Sequence, residues 1–176
     1  MKIKTQNKKR YELNMNVLIV YLSMGGRTRK VAERIASKLN SDVVDIEELK
    51  YHERATKMLS VQEDIMKGDL SNFSYDKKIE DLKQYELIFF GTPTWGSQPV
   101  PVFYGYIEKT QNISGKRFII FNTCRMVAIK TLEKMEEKIK SKNGNVVKKQ
   151  TFKGPFRIRM SKVDCFINEI NQEILN

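Results

Sequence analysis

The chain has 176 residues, 40% hydrophobic and 30% charged, which suits one globular domain and excludes a disordered chain. Cys124 and Cys165, the two cysteines, stand too far apart to suggest a disulfide framework or a zinc site, and no apolar run nears the ~20 residues of a membrane span. The formal charge of +11 sits mainly in residues 1–14, with five Lys/Arg against one Glu, and in residues 129–163, with eleven against three acids. Such a surface is either simply solvated or suited to an acidic protein or another polyanion.

Residues 1–14 read as a basic N-terminal extension and 15–176 as the folded domain. Val17 to Tyr21 form a short β-branched run, the pattern of a strand buried on both faces. A polar, glycine-bearing turn follows from Ser23 to Thr28. Val31, Ala32, Ile35, Ala36 and Leu39 then recur at helical spacing, and Asn40-Ser41 ends that helix. Val43 to Ile46 is a second strand.

Residues 47–84 are less regular. Leu59, Ile65 and Met66 predict a helix near 53–67 that Gly68 stops, and Ile79, Leu82 and Tyr85 predict a short turn. Leu87 to Phe90 predict a third strand closed by Gly91. Pro101 suits the first turn of the next helix. Phe118 to Phe121 predict a fourth strand, Ile129 to Ile139 a helix capped by Asn143-Gly144, and Val146-Val147 the start of a fifth strand. Val163, Phe166, Ile167, Ile170 and Ile174 mark a final helix. Strands alternating with amphipathic helices mean βαβ units: an α/β fold with a five-stranded parallel sheet and helices on both faces, a three-layer doubly wound architecture. Ligands of such folds bind beyond the carboxyl ends of the strands.

Three turns stand at that edge. Ser23-Met24-Gly25-Gly26-Arg27-Thr28 runs straight into a helix, so its backbone N–H groups and the helix N-terminus suit an anion. It lacks the Gly-Lys-Ser/Thr ending of a P-loop and is not GxGxxG. The second turn, Thr92-Pro93-Thr94-Trp95-Gly96, carries the only tryptophan of the chain, which at this edge suits stacking on a flat ring. The third is Asn122-Thr123-Cys124-Arg125. Cys124 lacks the Cys-x5-Arg of a small phosphatase, since Lys130 stands where the arginine is needed. It reads as a buried structural cysteine. His52 carries no assigned role, and Glu47-Glu48 and Glu136-Glu137 read as solvated helix faces. No catalytic residue and no metal site is assigned.

Together, the Ser-x-x-Gly-x-Thr turn within Val17–Leu49 and the stretch Phe89-Phe90-Gly91-Thr92-Pro93-Thr94-Trp95-Gly96 resemble the phosphate loop and second flavin loop of the flavodoxin family. The likeness covers nearly the whole chain from residue 15. It implies strand order 2-1-3-4-5 and FMN as cofactor. It further implies that Ser23, Met24, Gly25, Gly26, Arg27 and Thr28 wrap the phosphate, chiefly through backbone N–H groups. Trp95 would flank the isoalloxazine, with Thr92, Pro93, Thr94 and Gly96 along the ribityl chain and ring edge. Asn122, Thr123, Cys124 and Arg125 would line the pyrimidine end. The sequence departs from the family in having Gly25 where many relatives have Thr, and in being basic where electron carriers are typically acidic.

The leading functional reading is a cytoplasmic FMN electron carrier, monomer or homodimer, that docks a redox partner protein, an acidic one given this charge. The alternative is an NAD(P)H-dependent FMN oxidoreductase acting on quinones or similar small acceptors, with residues 47–84 as a lid. A flavin-free basic module binding nucleic acid is the third, and no DNA or RNA motif supports it.

Overall fold

The computed structural model describes residues 15–40, 43–126, 128 and 130–175; the expected N-terminal extension, residues 1–14, lies outside them. Five strands form the central sheet: β1 (Asn16–Tyr21), β2 (Val43–Glu48), β3 (Leu87–Trp95), β4 (Arg117–Cys124) and β5 (Asn145–Lys153). All neighbouring pairs among them are parallel, in the order β2-β1-β3-β4-β5. The expected fold class and strand order are those of the structure. Among the described residues six α-helices pack around the sheet: α1 (Arg27–Ala36), α2 (Ala55–Ser60), α3 (Gln62–Met66), α4 (Pro101–Lys109), α5 (Thr131–Lys140) and α6 (Met160–Glu173).

The period-2 geometry of the strands divides the apolar runs between two cores. Val17, Ile19, Leu87, Phe89, Ile119 and Phe121 face one way and meet α1 and α6 through Val31, Ile35, Phe166 and Ile170. Leu18, Val20, Ile88, Phe90, Phe118 and Ile120 face the other and meet Phe103, Tyr106, Met135 and Ile139 on α4 and α5. Since the three central strands are covered on both faces, they carry continuous apolar runs. β5 lies at an edge and alternates between exposed and half-buried residues as far as Gln150 before Phe152 enters the core, with Lys148, Lys149 and Lys153 along it. Charged residues on an edge strand discourage pairing with another chain.

Three sequence expectations need correction. β3 does not close at Gly91 but runs on to Trp95. Beyond Gly91 it has lost β1 as a partner and pairs only with β4, up to Pro93 opposite Thr123. A strand bonded on one side can accept a proline. The helix expected near 53–67 is two short helices, α2 and α3, and the chain turns at Gly68, where φ is 104°. Glu47-Glu48 lie on β2 rather than on a helix face, and Glu48 pairs with Arg29 at 2.9 Å.

Candidate functional site

β1, β3 and β4 end side by side, which brings the three turns together. Leu22 N–H donates to the Gly91 carbonyl at 3.0 Å as the first turn begins. Gly26 then takes φ 76° immediately before α1, and no side chain caps the helix. The first intrahelical bond runs from Lys30 N–H to the Gly26 carbonyl at 3.1 Å. The N–H groups ahead of Lys30 at the helix start therefore have no acceptor within α1. Three residues ahead of Gly26, the Ser23 hydroxyl oxygen is buried and has no hydrogen-bond partner.

The second turn is a hairpin tip. Thr94 and Trp95 pair antiparallel with Pro99 and Gln98, and the two residues between, Gly96 and Ser97, have φ 52° and 63°. Two consecutive positive φ values define a tight turn of the type that suits the strand twist, and glycine adopts it without strain. Trp95 is half-buried against the α4 side of the core.

Hydroxyl bonds tie the turns to one another. Thr28 and Thr123 share a hydrogen bond of 2.9 Å between their side chains. Asn122, fully buried, donates to the Thr94 hydroxyl at 2.6 Å and accepts from that of Thr151 at 2.7 Å. Thr94 also meets the Thr131 hydroxyl at 3.2 Å. A satisfied buried network of this kind fixes loop positions, since breaking one member strands the others.

Between the turns lies a cleft of about 550 Å³. Met24, Gly25, Arg27 and Thr28 border it from the first turn, Pro93, Thr94 and Trp95 from the second, and Thr123, Cys124, Arg125 and Met126 from the third. The size is ordinary for a small-molecule site. The other expected site residues lie around this lining. Gly26 is the N-cap position of α1, and Ser23 stands in the turn that leads to it. Thr92 is buried, its hydroxyl donating to the Pro93 carbonyl at 3.0 Å. Asn122 positions Thr94, and Gly96 borders a second groove on the far side of Trp95.

Two features were not readable in the sequence. Met126, 75% exposed, borders the cleft directly after the third turn. The Arg27 guanidinium reaches across to the carbonyls of Gly154, Pro155 and Phe156 at 2.8, 2.9 and 3.2 Å, and nothing local announces partners so distant along the chain. Arg29 is likewise engaged, with Glu48. Burial pushes the Cys124 thiol above its ordinary pKa, and nearby Lys153 and Arg27 oppose the shift without reversing it. Such a thiol stays protonated at neutral pH, unlike an activated nucleophile. Among the described residues no group of His, Cys, Asp and Glu is placed to hold a metal ion, and no helix is long and apolar enough to cross a membrane.

The sequence profile of the flavodoxin family matches residues 16–163. The chain belongs to the flavodoxin family. Several solved structures share its fold. A flavoprotein from Lactobacillus acidophilus, solved in complex with FMN, is 22% identical with a TM-score of 0.63, over 86% of this chain and 97% of that one. A flavodoxin from the domain Archaea is 15% identical with a TM-score of 0.54, over 92% and 100%. The rubredoxin:oxygen oxidoreductase of Desulfovibrio gigas is 14% identical with a TM-score of 0.56, over 88% of this chain and 35% of that one. A search of curated proteins finds no match.

FMN is the cofactor of the family, and the flavodoxin-type edge of this chain fits it. The uncapped start of α1 and the partnerless Ser23 hydroxyl supply donors for a phosphate dianion. A Cβ built on Gly25, Gly26 or Gly96 meets nothing within 4 Å, so a ligand can approach the backbone there. Trp95 offers an aromatic surface beside them.

Proposed function

We propose that this chain is an electron carrier that holds FMN in the cleft between its three turns and exchanges electrons with an acidic redox protein in the cytoplasm. The observation that carries the reading is the buried Ser23 hydroxyl without a partner, three residues ahead of an uncapped helix start. Buried polar groups are nearly always hydrogen-bonded, and an anion at this point satisfies the hydroxyl and the helix N–H groups together.

When bound, FMN supplies reversible one- and two-electron chemistry; the protein supplies position and electrostatics. Ser23 to Thr28 would hold the phosphate end, with Arg27 kept nearby by the 154–156 carbonyls. Trp95 would lie along the ring, and Thr94, which would contact it, is pinned by Asn122 and Thr131. Thr123, Cys124 and Arg125 border the opposite end of the cleft. The Gly96 peptide, at φ 52° with open space where a side chain would stand, would offer its backbone groups to the edge of a bound ring. Exposed Met24 and Met126 at the mouth, with Arg125 and Lys153 beside them, form a small apolar and cationic rim. The net charge of +11 steers a protein of opposite sign toward that rim.

A second reading is favoured by the groove beyond Trp95. It holds about 550 Å³ between Leu59, Gln62, Met66, Pro99 and Tyr104, with Leu59 52% exposed. A flat apolar acceptor fits there, as an FMN oxidoreductase needs. Stopped-flow mixing separates the two. A reduced acidic iron–sulfur protein is expected to pass one electron to the FMN-loaded chain at a rate that falls as salt shortens the Debye length below about 8 Å. Rapid bleaching of the flavin by NADH or NADPH with turnover on a quinone, and none by the iron–sulfur protein, would establish the enzyme instead.

A further inference from the structure

A cavity larger than the flavin cleft adjoins it. A groove of about 790 Å³ runs between the outer face of α1 and the turn that joins β5 to α6. It begins at Gly25, Gly26 and Arg27, so its inner end adjoins the phosphate end of the flavin cleft, which Gly25 and Arg27 also border. Its walls carry Lys30, Arg34, Arg157 and Arg159 against one carboxylate, Glu33.

These cations are not equivalent. Arg34 is spent on Asp164, at 2.7 and 2.9 Å. Lys30, Arg157 and Arg159 form no ion pair among the described residues and are exposed. Beside them Phe156 is 92% exposed. Its backbone is firmly built: the Phe156 carbonyl accepts from Arg27, and Gly154 is packed so tightly that a Cβ there would lie 2.0 Å from the Arg157 carbonyl oxygen. The chain thus holds an apolar ring out in water among unpaired positive charges.

We propose that this groove is a second ligand site that takes the adenosine diphosphate portion of a dinucleotide, the purine stacking on Phe156 and the phosphates pairing with Lys30, Arg157 and Arg159. A flat ring joined to two adjacent anionic groups uses both features at once, through stacking and cation pairing. Inorganic phosphate would leave Phe156 without a purpose, and the concave shape and volume suit a small molecule. The same chemistry has two sources: the adenylate half of a flavin dinucleotide whose flavin end lies in the cleft, or a separate pyridine nucleotide. Only the first rests on the flavin reading.

The test uses the full chain, Phe156→Ala and the double variant Arg157→Glu/Arg159→Glu, none of which touches the flavin cleft. Isothermal titration of the FMN-loaded protein with ADP and with NADPH is expected to show binding. The charge reversal should weaken it about 100-fold and Phe156→Ala about tenfold, while FMN affinity at physiological salt, which screens these exposed charges, falls by less than about threefold. In titrations of the FMN-free protein, FAD binding more tightly than FMN, with the advantage lost in both variants, assigns the groove to a tethered adenylate. Equal FAD and FMN affinity, with ADP still binding, assigns it to a free nucleotide. The proposal is overturned if ADP and NADPH fail to bind and FAD has no advantage, or if binding ignores both variants. Salt-sensitive binding of an acidic iron–sulfur protein, lost in the double variant without any nucleotide binding, also overturns it and gives the groove to a protein partner. Failure of FMN itself to bind would strike the cofactor reading and leave the ADP titration to be judged separately.

Discussion

Gly26→Asp is expected to weaken FMN binding by about 100-fold while leaving riboflavin binding within about twofold. Gly26 precedes α1 at φ 76°, a conformation that aspartate tolerates better than most residues. A Cβ there meets no atom within 4 Å, so the new side chain has room. Its carboxylate would act twice. It would accept from the helix N–H groups that await the phosphate, as aspartate does at helix starts. It would also stand a few ångströms from the phosphate, where like charges repel by about 1–3 kcal/mol at effective dielectric constants between those of water and a protein surface. Together these amount to roughly 3 kcal/mol, or about two decades of affinity. The new cap offsets the strain of the positive φ, so thermal stability should move by less than about 1 kcal/mol. Titration of the apoprotein with FMN and with riboflavin, followed by quenching of flavin fluorescence, measures both. Equal losses for the two ligands would show that the loop does not hold a phosphate.

Gly105→Ala should produce the largest loss of stability, about 2–3 kcal/mol, or roughly 4–10 °C in the unfolding midpoint. On propensity alone alanine improves a helix interior by about 1 kcal/mol. Here the sign reverses, because Gly105 is where α4 lies directly on α3. A Cβ at 105 would sit 1.9 Å from the Ile65 carbonyl oxygen and 3.0 Å from Leu70 Cδ2. A backbone carbonyl cannot swing aside, so the helices must separate. The displaced segment carries Gln62 and Met66, which border the groove beyond Trp95. FMN affinity should fall far less than stability, since the phosphate turn belongs to other elements. Calorimetry of the variant beside Gly25→Ala, a position with open space, provides the comparison.

These two glycines also mark how far the sequence could be read. Runs such as Val17–Tyr21 and Phe118–Phe121 disclosed their strands because burial on both faces leaves no polar alternation to confuse. The turn at Ser23–Thr28 was legible as a turn because its polar and glycine residues stand between an apolar strand run and an amphipathic helix. Gly91 misled: it looks like a strand end, yet it is required within β3 because a Cβ would lie 2.2 Å from the Phe121 ring. Such a contact is tertiary and has no local signature. Residues 47–84 were obscure for a related reason. Their short helices and the two-residue antiparallel pair, Lys50-Tyr51 with Phe73-Ser74, are held by packing on α4 rather than by propensity. Asn122 reads as a ligand contact by its place after the apolar run Phe118–Phe121, but it lies within β4, which runs on to Cys124, and its side chain is consumed in bridging Thr94 and Thr151. Arg27 suggests a phosphate partner, whereas its guanidinium is directed to three carbonyls more than a hundred residues away.

The central claim is that the edge formed by β1, β3 and β4 grips a flavin by its phosphate. The direct measurement is fluorescence titration of the purified chain with FMN and riboflavin in parallel, reading the flavin and the single tryptophan, Trp95. Stoichiometric FMN binding that quenches both signals is expected, with riboflavin about 100-fold weaker for want of the charged group at the start of α1. Equal affinity for the two flavins, or binding that leaves Trp95 emission untouched, would contradict the account.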